Sequence, residues 1–375
     1  MKKIGLVVNP IAGMGGRVGL KGTDGEEVLK KAIEMGSKPE APIKAVKALE
    51  KIMPLKDEVE VLVAEGKMGE VEVADLGLNY RVVYKPKSEN TSSEDTIQLC
   101  LDFEKEDVDL ILFVGGDGTA RDIFNAIETK IPAIGIPAGV KIHSPVYGNT
   151  PESAGQLAFE YLNGADLSLR DEEVVDLDEE AFRRDEVDVK LYGYLKVPYN
   201  EIYLQNQKSP SPQSDEAAQE SIALDIIDDM EDGIYYIIGS GTTTMYIMKE
   251  LDLPYTILGI DIIKDKKLVG KDVNEKQILE IVGNERFKLI VTPMGGQGYI
   301  FGRGNQQLSS EVLKKIDKDD IIVVSTSGKL STLGNRDLLV YTLDDEVDEK
   351  LSGYYKVVIG YGRYMMHKAS NGKRI

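Results

Sequence analysis

Short apolar runs alternate with segments of helical spacing along the first part of the chain. The runs that predict β-strands are 4–8, 58–65, 80–86, 108–116 and 132–139. The segments that predict α-helices are 26–36, 41–52, 93–103, 120–129 and 151–164. Strands that are apolar on both faces and alternate with helices are typical of a parallel sheet covered by helices. We therefore expect a parallel, doubly wound α/β domain over residues 1–165.

The pattern changes between residues 166 and 216. An acidic stretch occupies 170–190, and a turn-rich run with several serines and prolines follows it at 206–220. We expect a solvated acidic junction and a surface loop in this part of the chain. From residue 217 onward, strands and helices alternate again. The predicted strands are 233–240, 255–263, 287–293, 320–327, 337–343 and 355–362, and the predicted helices are 221–230, 242–252, 274–283, 309–316 and 344–353. This alternation predicts that residues 166–375 form a second α/β domain rather than a β-sandwich.

Composition narrows the class of protein. The 375 residues are 42% hydrophobic and 29% charged, as in folded globular proteins. The formal net charge of −19 argues against a nucleic-acid partner, because phosphate binding needs a concentrated basic face. The single cysteine, Cys100, excludes an internal disulfide framework and fits a reducing compartment. The apolar run 4–8 is too short for a signal peptide, and no run approaches the roughly 20 residues of a membrane helix. We expect a cytoplasmic protein without a membrane or nucleic-acid partner.

Glycines follow four of the predicted strands. They are Gly13, Gly15 and Gly16; Gly115, Gly116 and Gly118; Gly239 and Gly241; and Gly295, Gly296 and Gly298. In an open parallel sheet, ligands collect beyond the carboxyl ends of the strands, where free N–H groups favour anions. Glycines also form turns for purely structural reasons. Four such loops together favour a phosphorylated ligand over that alternative.

Two standard nucleotide-binding fingerprints do not fit these loops. The Walker pattern ends in Gly-Lys-Ser/Thr, which none of the loops supplies. The stretch "GMGGRVG" at 13–19 does not fit G-x-G-x-x-G, and no acidic residue follows a second strand at the expected place. The sequence therefore disfavours a P-loop enzyme and a Rossmann dehydrogenase.

Asp117 lies among the glycines of "GGDGT" at 115–119. Phosphates repel a carboxylate, so its presence beside them indicates that it accepts a proton or holds a metal. Phosphoryl transfer to a hydroxyl needs a base of this kind next to positioned phosphates. Thr119 suits a cap on the following helix and a donor to an oxygen. The alternative is that Asp117 is only an N-cap or turn residue.

Several of these motifs carry a family resemblance. "GGDGT" (115–119), "NPIAGMGG" (9–16) and "GIPAGVKIHS" (135–144) resemble the ATP-NAD kinase superfamily, which also includes diacylglycerol and sphingosine kinases. "GSGTTT" (239–244) and "GGQGYIFGRGNQQLS" (295–309) resemble its AcoX-type branch, the predicted polyphosphate/ATP-NAD kinases. The resemblance implies an N-terminal sheet like that of NAD kinase and phosphofructokinase and an active cleft between this domain and the second one.

The resemblance also implies an activity. The enzyme would transfer a phosphoryl group from ATP or polyphosphate, with Mg²⁺, to the 2′-hydroxyl of NAD, and Asp117 would be the general base. Its partners would be small nucleotide substrates, and we expect a homo-oligomer. We assign no metal ligands. The candidate nucleotide- and substrate-binding residues are Asn9, Gly13, Gly15, Gly16, Gly115, Gly116, Gly118, Thr119, Gly139, Lys141, His143, Ser240, Gly241, Thr242, Thr243, Thr244, Gly296, Gln297, Arg303, Asn305 and Gln306.

The second domain departs from the family pattern. Typical NAD kinases have a largely β second domain with an Asn-Glu pair that binds NAD, whereas this one is predicted to be α/β. Asn200-Glu201 is a distant counterpart of that pair. Lys21 and Asp24 are further candidates for substrate or metal contact, while His367 is expected to be incidental.

Two other functions stay open at this point. One is a kinase for another hydroxyl compound, such as a sugar, a polyol or a lipid. The other is a nucleotide-binding regulatory protein without turnover.

Overall fold

The computed structural model describes residues 1–16, 18–20, 26–88, 91–139, 142–177, 189–200, 203–204 and 215–372. Two large sheets, one of five strands and one of nine, and a separate two-stranded ribbon organise these residues. The prediction of two α/β domains is confirmed.

The first sheet is entirely parallel, with the strand order β3-β2-β1-β4-β5. Its strands are β1 (Lys2–Val8), β2 (Val59–Ala64), β3 (Tyr80–Tyr84), β4 (Leu110–Gly115) and β5 (Ala133–Pro137). All six residues of β4 and all five of β5 are buried, so apolar side chains are needed on both faces of these strands. This requirement produces the continuous apolar runs in the sequence.

Six helices accompany this sheet. They are α1 (Glu26–Glu34), α2 (Ala41–Leu49), α3 (Glu70–Leu76), α4 (Ser93–Lys105), α5 (Asp117–Ile127) and α6 (Pro151–Leu162). Local chemistry fixes several helix starts. The α4 helix begins with a capping box of Ser92 and Asp95, and α6 begins with Pro151 after Thr150, whose hydroxyl accepts the Ser153 N–H at 3.0 Å. The α3 helix is not among the predicted elements.

The strand order reverses between β1 and β4. The chain runs from β1 outward to β2 and β3, then returns to β4 on the other side of β1 and continues to β5. The loops that follow β1 and β4 therefore leave the sheet in opposite directions, which opens a crevice at their carboxyl ends. This crevice is where the glycine loops at 9–16 and 115–119 lie.

Residues 166–216, which the sequence predicts as an acidic junction and loop, contain an antiparallel ribbon of β6 (Leu169–Leu177) and β7 (Val189–Pro198). Val174, Leu195 and Val197 of the ribbon join the hydrophobic core of the first sheet. The density of acidic residues obscures these strands, because only a few buried apolar positions interrupt the charged ones. The sequence assigns this segment to the second domain, whereas its packing supports a boundary after the ribbon, which we propose.

The second sheet is mixed, with the order β10-β9-β8-β11-β13-β15-β16-β14-β12. Its strands are β8 (Tyr235–Ile238), β9 (Asp261–Lys264), β10 (Lys267–Gly270), β11 (Phe287–Val291), β12 (Tyr299–Phe301), β13 (Ile321–Val324), β14 (Leu338–Val340), β15 (Gly353–Gly360) and β16 (Arg363–Ser370). The four central strands β8, β11, β13 and β15 are parallel. Their carboxyl ends therefore form a second edge suited to ligands.

The helices of the second domain cover both faces of its sheet. They are α7 (Glu216–Asp228), α8 (Thr242–Glu250), α9 (Glu275–Val282), α10 (Ser310–Leu313), α11 (Ser327–Ser331) and α12 (Asp345–Leu351). Most were predicted within a few residues, but α11 and the strands β10, β12 and β16 were not. The predicted strand at 255–263 is wrong over residues 255–260, because regular pairing starts only at Asp261.

Glu72 on α3 is a buried carboxyl group whose Oε2 has no hydrogen-bond partner among the described residues. Burial raises the pKa of Glu72 to about 7. In the unfolded chain this group releases its proton near pH 4.5, whereas the folded protein retains it until about pH 7. The native state consequently loses stability as the pH rises through this window.

Replacement of Glu72 by Gln should therefore stabilise the protein at pH 8 by about 1 to 3 kcal/mol, since a neutral amide avoids a buried charge. The gain should shrink toward zero near pH 5. Urea unfolding at both pH values measures the difference, with the exposed Glu50→Gln as control. An equal effect of Glu72→Gln at pH 5 and pH 8 would contradict this prediction.

Candidate active site

The loops after β1 and β4 are bound directly to each other. The Asn9 N–H donates to the Val114 carbonyl at 3.0 Å, and Asn9 Nδ2 donates to Thr119 Oγ1 at 3.1 Å. Thr119 is thus engaged with the Asn-Pro segment, and both residues lie at the crevice between β1 and β4. The contact joins two segments that are more than 100 positions apart in sequence.

Asp117 is the first residue of α5, and Gly116 is the N-cap. Its side chain is directed to the loop after β5 rather than to the first turn of its own helix. Asp117 Oδ2 accepts the His143 N–H at 2.7 Å, and Oδ1 accepts the Ser144 N–H at 3.1 Å. His143 Nδ1 lies 3.2 Å from Oδ2. These contacts contradict the alternative in which Asp117 is only a helix cap.

Glycine is required where the loops after β4 and β5 meet. A Cβ atom on Gly139 would lie 2.7 Å from the Cα of Gly116, and one on Gly115 would lie 2.4 Å from Thr119 Oγ1. The Tyr147 hydroxyl donates a hydrogen bond to the Gly116 carbonyl at 2.6 Å. Gly118 differs, because the nearest atom to its Cβ position is 4.0 Å away. Protein packing therefore does not explain why Gly118 is a glycine.

The glycines after β1 are also closely packed. Gly13 has φ +80°, and a Cβ there would lie 2.1 Å from the Ala138 carbonyl oxygen. The Cβ position of Gly16 is 3.0 Å from the side chain of Gln306 in the second domain, while the Gly15 carbonyl accepts the Leu20 N–H. This loop accordingly lies between the end of β5 and the second domain.

Gln297 and Arg303 bring the second domain to the Asp117 loop. Gln297 Nε2 donates to the Ile142 carbonyl at 2.9 Å, one residue before His143. Arg303 Nη1 donates to Gln297 Oε1 at 3.0 Å, and the guanidinium lies 4.9 Å from the centre of the Tyr299 ring. Burial lowers the pKa of Arg303, while the charge of Asp117 opposes that effect. Both side chains are predicted ligand contacts. Gln297 joins the two domains directly, and Arg303 binds Gln297 within the second domain.

The threonine-rich loop opens α8 at the edge of the second sheet. Ser240 Oγ donates to the Gly304 carbonyl at 2.8 Å, which connects this loop to the Arg303 segment. Gly241 has φ +136° and precedes Thr242, the exposed first residue of the helix. Thr243 is fully buried, and Thr244 Oγ1 donates to the Gly239 carbonyl at 2.6 Å.

Lys329 is a candidate that the sequence analysis missed. It lies on α11 after β13, and its Nζ donates to Thr292 Oγ1 at 3.0 Å at the end of β11. A Cβ on Gly241 would lie 2.5 Å from Thr292 Cγ2, so the lysine and the threonine-rich loop share one edge of the sheet. The signal in the sequence is "STSGK" at 325–329, another strand followed by a small-residue turn and a helix.

A small, partly open pocket lies where α2 meets the second domain. Lys44, which is buried and paired with Glu40 at 3.2 Å, lines it together with Gln306 and Tyr341. Gln306 Oε1 has no hydrogen-bond partner among the described residues.

The remaining candidate residues either contact other protein groups or lie outside the described part of the chain. Asn305 Nδ2 donates to the Ile300 carbonyl at 2.9 Å, and the Gly296 carbonyl accepts Arg336 Nη2 at 2.9 Å. Asn200 Nδ2 lies 3.4 Å from Glu160 Oε2. His367 lies on β16, with Nδ1 3.1 Å from the Lys368 carbonyl oxygen. The residues Lys21, Asp24, Lys141 and Glu201 lie outside the described part of the chain.

Three other features of the described residues bear on function. Cys100 is buried, and burial raises the pKa of its thiol. No group of three or more His, Cys, Asp or Glu side chains is placed to hold a metal within the described ranges. Among the helices that the structure describes, none has both the length and the apolar character needed to span a bilayer.

Comparison with known proteins defines the class. Residues 4–165 match the ATP-NAD kinase N-terminal domain, and residues 231–368 match the ATP-NAD kinase C-terminal domain. The fold and these two matches define a two-domain protein of the kinase class. The chain belongs to the ATP-NAD kinase family.

The similarity of the chain to solved structures is low. Two solved structures described as a "putative diacylglycerol kinase from Bacillus anthracis str. Sterne" are similar at 16% identity over 47% of this chain, with TM-scores of 0.27 and 0.25. The matched region spans 46% and 43% of those chains, which is less than half their length. No curated protein matches the chain.

The contrast between Gly139 and Gly118 gives a direct test of the site geometry. Gly139→Ala should destabilise the protein by about 1 to 3 kcal/mol, because the new methyl group collides with the backbone of Gly116. Gly118→Ala is the matched control, and it should leave stability unchanged or raise it by up to about 1 kcal/mol through helix propensity. Urea unfolding of both variants provides the measurement. Equal losses of stability would mean that the two loops are not packed as described.

Proposed function

We propose that the protein transfers a phosphoryl group from ATP or polyphosphate to the 2′-hydroxyl of the NAD adenosine ribose and so produces NADP. The observation that carries this proposal is the position of Asp117. A buried carboxylate lies at the start of a helix, beside the switch point of a parallel sheet, where anions are otherwise favoured. Such a group is useful when a hydroxyl has to lose a proton next to phosphates.

The surrounding residues support phosphate binding. The amino-terminal ends of α5 and α8 present backbone N–H groups without intrahelical partners, which suit phosphate oxygens. The open space at Gly118 lets a ligand approach the backbone of α5 closely. Lys329 adds a positive charge near α8, and the buried Arg303 adds one near Asp117.

The chemistry required of these groups is mainly positioning and charge stabilisation. Mg²⁺ would neutralise negative charge on the donor phosphates, and we assign no side chain to it. The carboxylate of Asp117 would accept the proton of the acceptor hydroxyl.

The choice of NAD as acceptor rests on membership of the ATP-NAD kinase family. A kinase for a sugar, polyol or lipid hydroxyl would use the same catalytic geometry, and a regulatory protein would use the same binding loops without turnover. Small-molecule nucleotides are the partners that we propose, in a cytoplasmic setting.

Asp117→Asn should lower the rate of NADP formation by about 100-fold or more, because the isosteric amide cannot supply a negative charge. NAD binding, measured by calorimetry, should change little. Asp57→Asn, an exposed position with the same substitution, is the control.

Other outcomes would select among the alternatives. Absence of NADP formation by the wild-type protein with either donor would refute NAD as the acceptor. A screen of sugars, polyols and lipids by ADP release would then identify a different kinase. Tight nucleotide binding that is unaffected by Asp117→Asn, with no product from any acceptor, would favour the regulatory protein.

A further inference from the structure

The second sheet has a switch point of its own, between β8 and β11. These neighbouring strands are parallel, and in the strand order the chain passes from β8 to β9 on one side and from β11 to β12 on the other. The loops that follow them therefore separate at their carboxyl ends, as the loops after β1 and β4 do in the first sheet. This second crevice lies between loops 239–241 and 292–298, where an open α/β sheet is expected to bind a ligand.

Lys329 is held at the second crevice by its backbone and by its side chain. Thr326, the N-cap of α11, accepts the Lys329 N–H through Oγ1 at 3.2 Å and donates the same hydroxyl to Asp215 Oδ2 at 2.8 Å. Lys329 Nζ donates to Thr292 Oγ1 at 3.0 Å, directly after β11. The lysine is half-buried, so its ammonium group has a fixed place at the end of β11 and part of the residue still meets solvent.

The loop after β8 brings hydrogen-bond donors to the same crevice. Gly241 has φ +136°, which side chains rarely adopt, and this turn lets α8 begin at Thr242. The nine-residue helix has first-turn N–H groups without intrahelical partners. Thr242 is exposed and Ser240 is half-buried, so a dissolved ligand can reach this end of the helix.

Thr243, the second residue of α8, adds an independent sign of a ligand. Its side chain is fully buried, and its hydroxyl has no hydrogen-bond partner among the described residues. The Cα–Cβ bond of a helical residue is tilted toward the helix N-terminus, so this side chain is directed to the end of α8 that borders the crevice. A buried hydroxyl without a partner is unfavourable, and a phosphate oxygen at the first turn would give it an acceptor.

Charge and connectivity both relate the second crevice to the proposed reaction. The chain has a formal net charge of −19, so an anion needs local positive charge, which Lys329 and the N-terminus of α8 supply together. Ser240 Oγ donates to the Gly304 carbonyl, and the Arg303–Gln297 pair beside it reaches the loop that Asp117 holds. The loops of the second crevice thus join those around the proposed base.

We propose that the second crevice is a phosphate-binding site in which the Lys329 ammonium and the first-turn N–H groups of α8 bind a phosphate group of a nucleotide substrate. A compact ammonium beside a helix N-terminus suits a phosphate, because the two positive ends converge on one anion. The identity of the nucleotide rests on the proposed kinase function. The phosphate belongs either to the ATP donor or to the diphosphate of NAD, and the binding experiment separates these two sources.

Two substitutions of Lys329 separate phosphate binding from a purely structural link between α11 and β11. Lys329→Met removes the charge but keeps a long, flexible side chain, whereas Lys329→Arg keeps the charge. Lys276→Met on α9 is the control, because the side chain of Lys276 is 84% exposed. Calorimetry on the full-length proteins measures the Kd of ATP and of NAD at low and at high KCl concentration. Circular dichroism and thermal unfolding check that each variant is folded.

Lys329→Met should raise the Kd of ATP or of NAD by about 10- to 100-fold at low salt, because a hydrogen bond to a charged group is lost. The nucleotide that loses affinity is the one whose phosphate lies in the second crevice. Lys329→Arg should retain most of the affinity, and Lys276→Met all of it. The difference between Lys329→Met and the wild type should shrink at high salt, because salt screens charges that meet solvent.

An unchanged Kd of both nucleotides in Lys329→Met would overturn the proposal. A loss of affinity that is equal at low and high salt, or as large in Lys329→Arg, would also overturn it and would leave the lysine a structural role. These outcomes differ from failure of the proposed function. Binding that depends on Lys329 without any NADP formation would refute the function and leave the site, whereas NADP formation with unchanged binding in Lys329→Met would refute the site alone.

Discussion

The hydrogen bonds of one buried carboxylate hold the proposed reaction centre together. Asp117 starts a helix at the end of β4, yet its oxygens bind the backbone N–H groups of His143 and Ser144 at the end of β5. A buried carboxylate without such partners would cost several kcal/mol. The loop after β5 must therefore lie against α5, and the glycines at 116 and 139 allow the two backbones to come that close.

The loop that Asp117 holds also contacts the second domain. Because the loop at 142–144 is fixed on one side by Asp117, the Ile142 carbonyl is held in position to accept Gln297 Nε2 on the other side. Arg303 then binds Gln297, and Ser240 binds the carbonyl of Gly304. The glycine-rich edges of both sheets consequently meet around Asp117. A site built in this way depends on both domains, although the reacting groups that we propose come from the first.

Local patterns in the sequence account for much of this architecture. Strands such as β4 and β5 are buried on both faces, so their apolar runs are continuous and their ends are marked by glycine. The ribbon of β6 and β7 was missed because its charged side chains hide the few that enter the core, such as Val174 and Leu195. Strand pairing between distant segments, as in β12 with β14, leaves no periodic signal.

In the site, too, features set by neighbouring residues could be predicted, whereas contacts between distant segments could not. The glycines and Asp117 could be identified from one strand end, since their spacing is local. The contact between Asp117 and His143, 26 residues apart, depends on how two loops fold toward each other. Lys329 was missed for a related reason, because its turn looks ordinary until β11 and β13 are placed side by side. Arg303 and Gln297 were identified by residue type, but their contacts with each other could not be inferred from it.

A structure of the protein with NAD and a non-hydrolysable ATP analogue would test the central claim most directly. The account predicts that the 2′-hydroxyl oxygen of the adenosine ribose lies within about 2.6 to 3.2 Å of a carboxylate oxygen of Asp117, with Asp117 still bound to the loop after β5. A complex in which NAD binds elsewhere, or in which its 2′-hydroxyl faces away from Asp117, would contradict it.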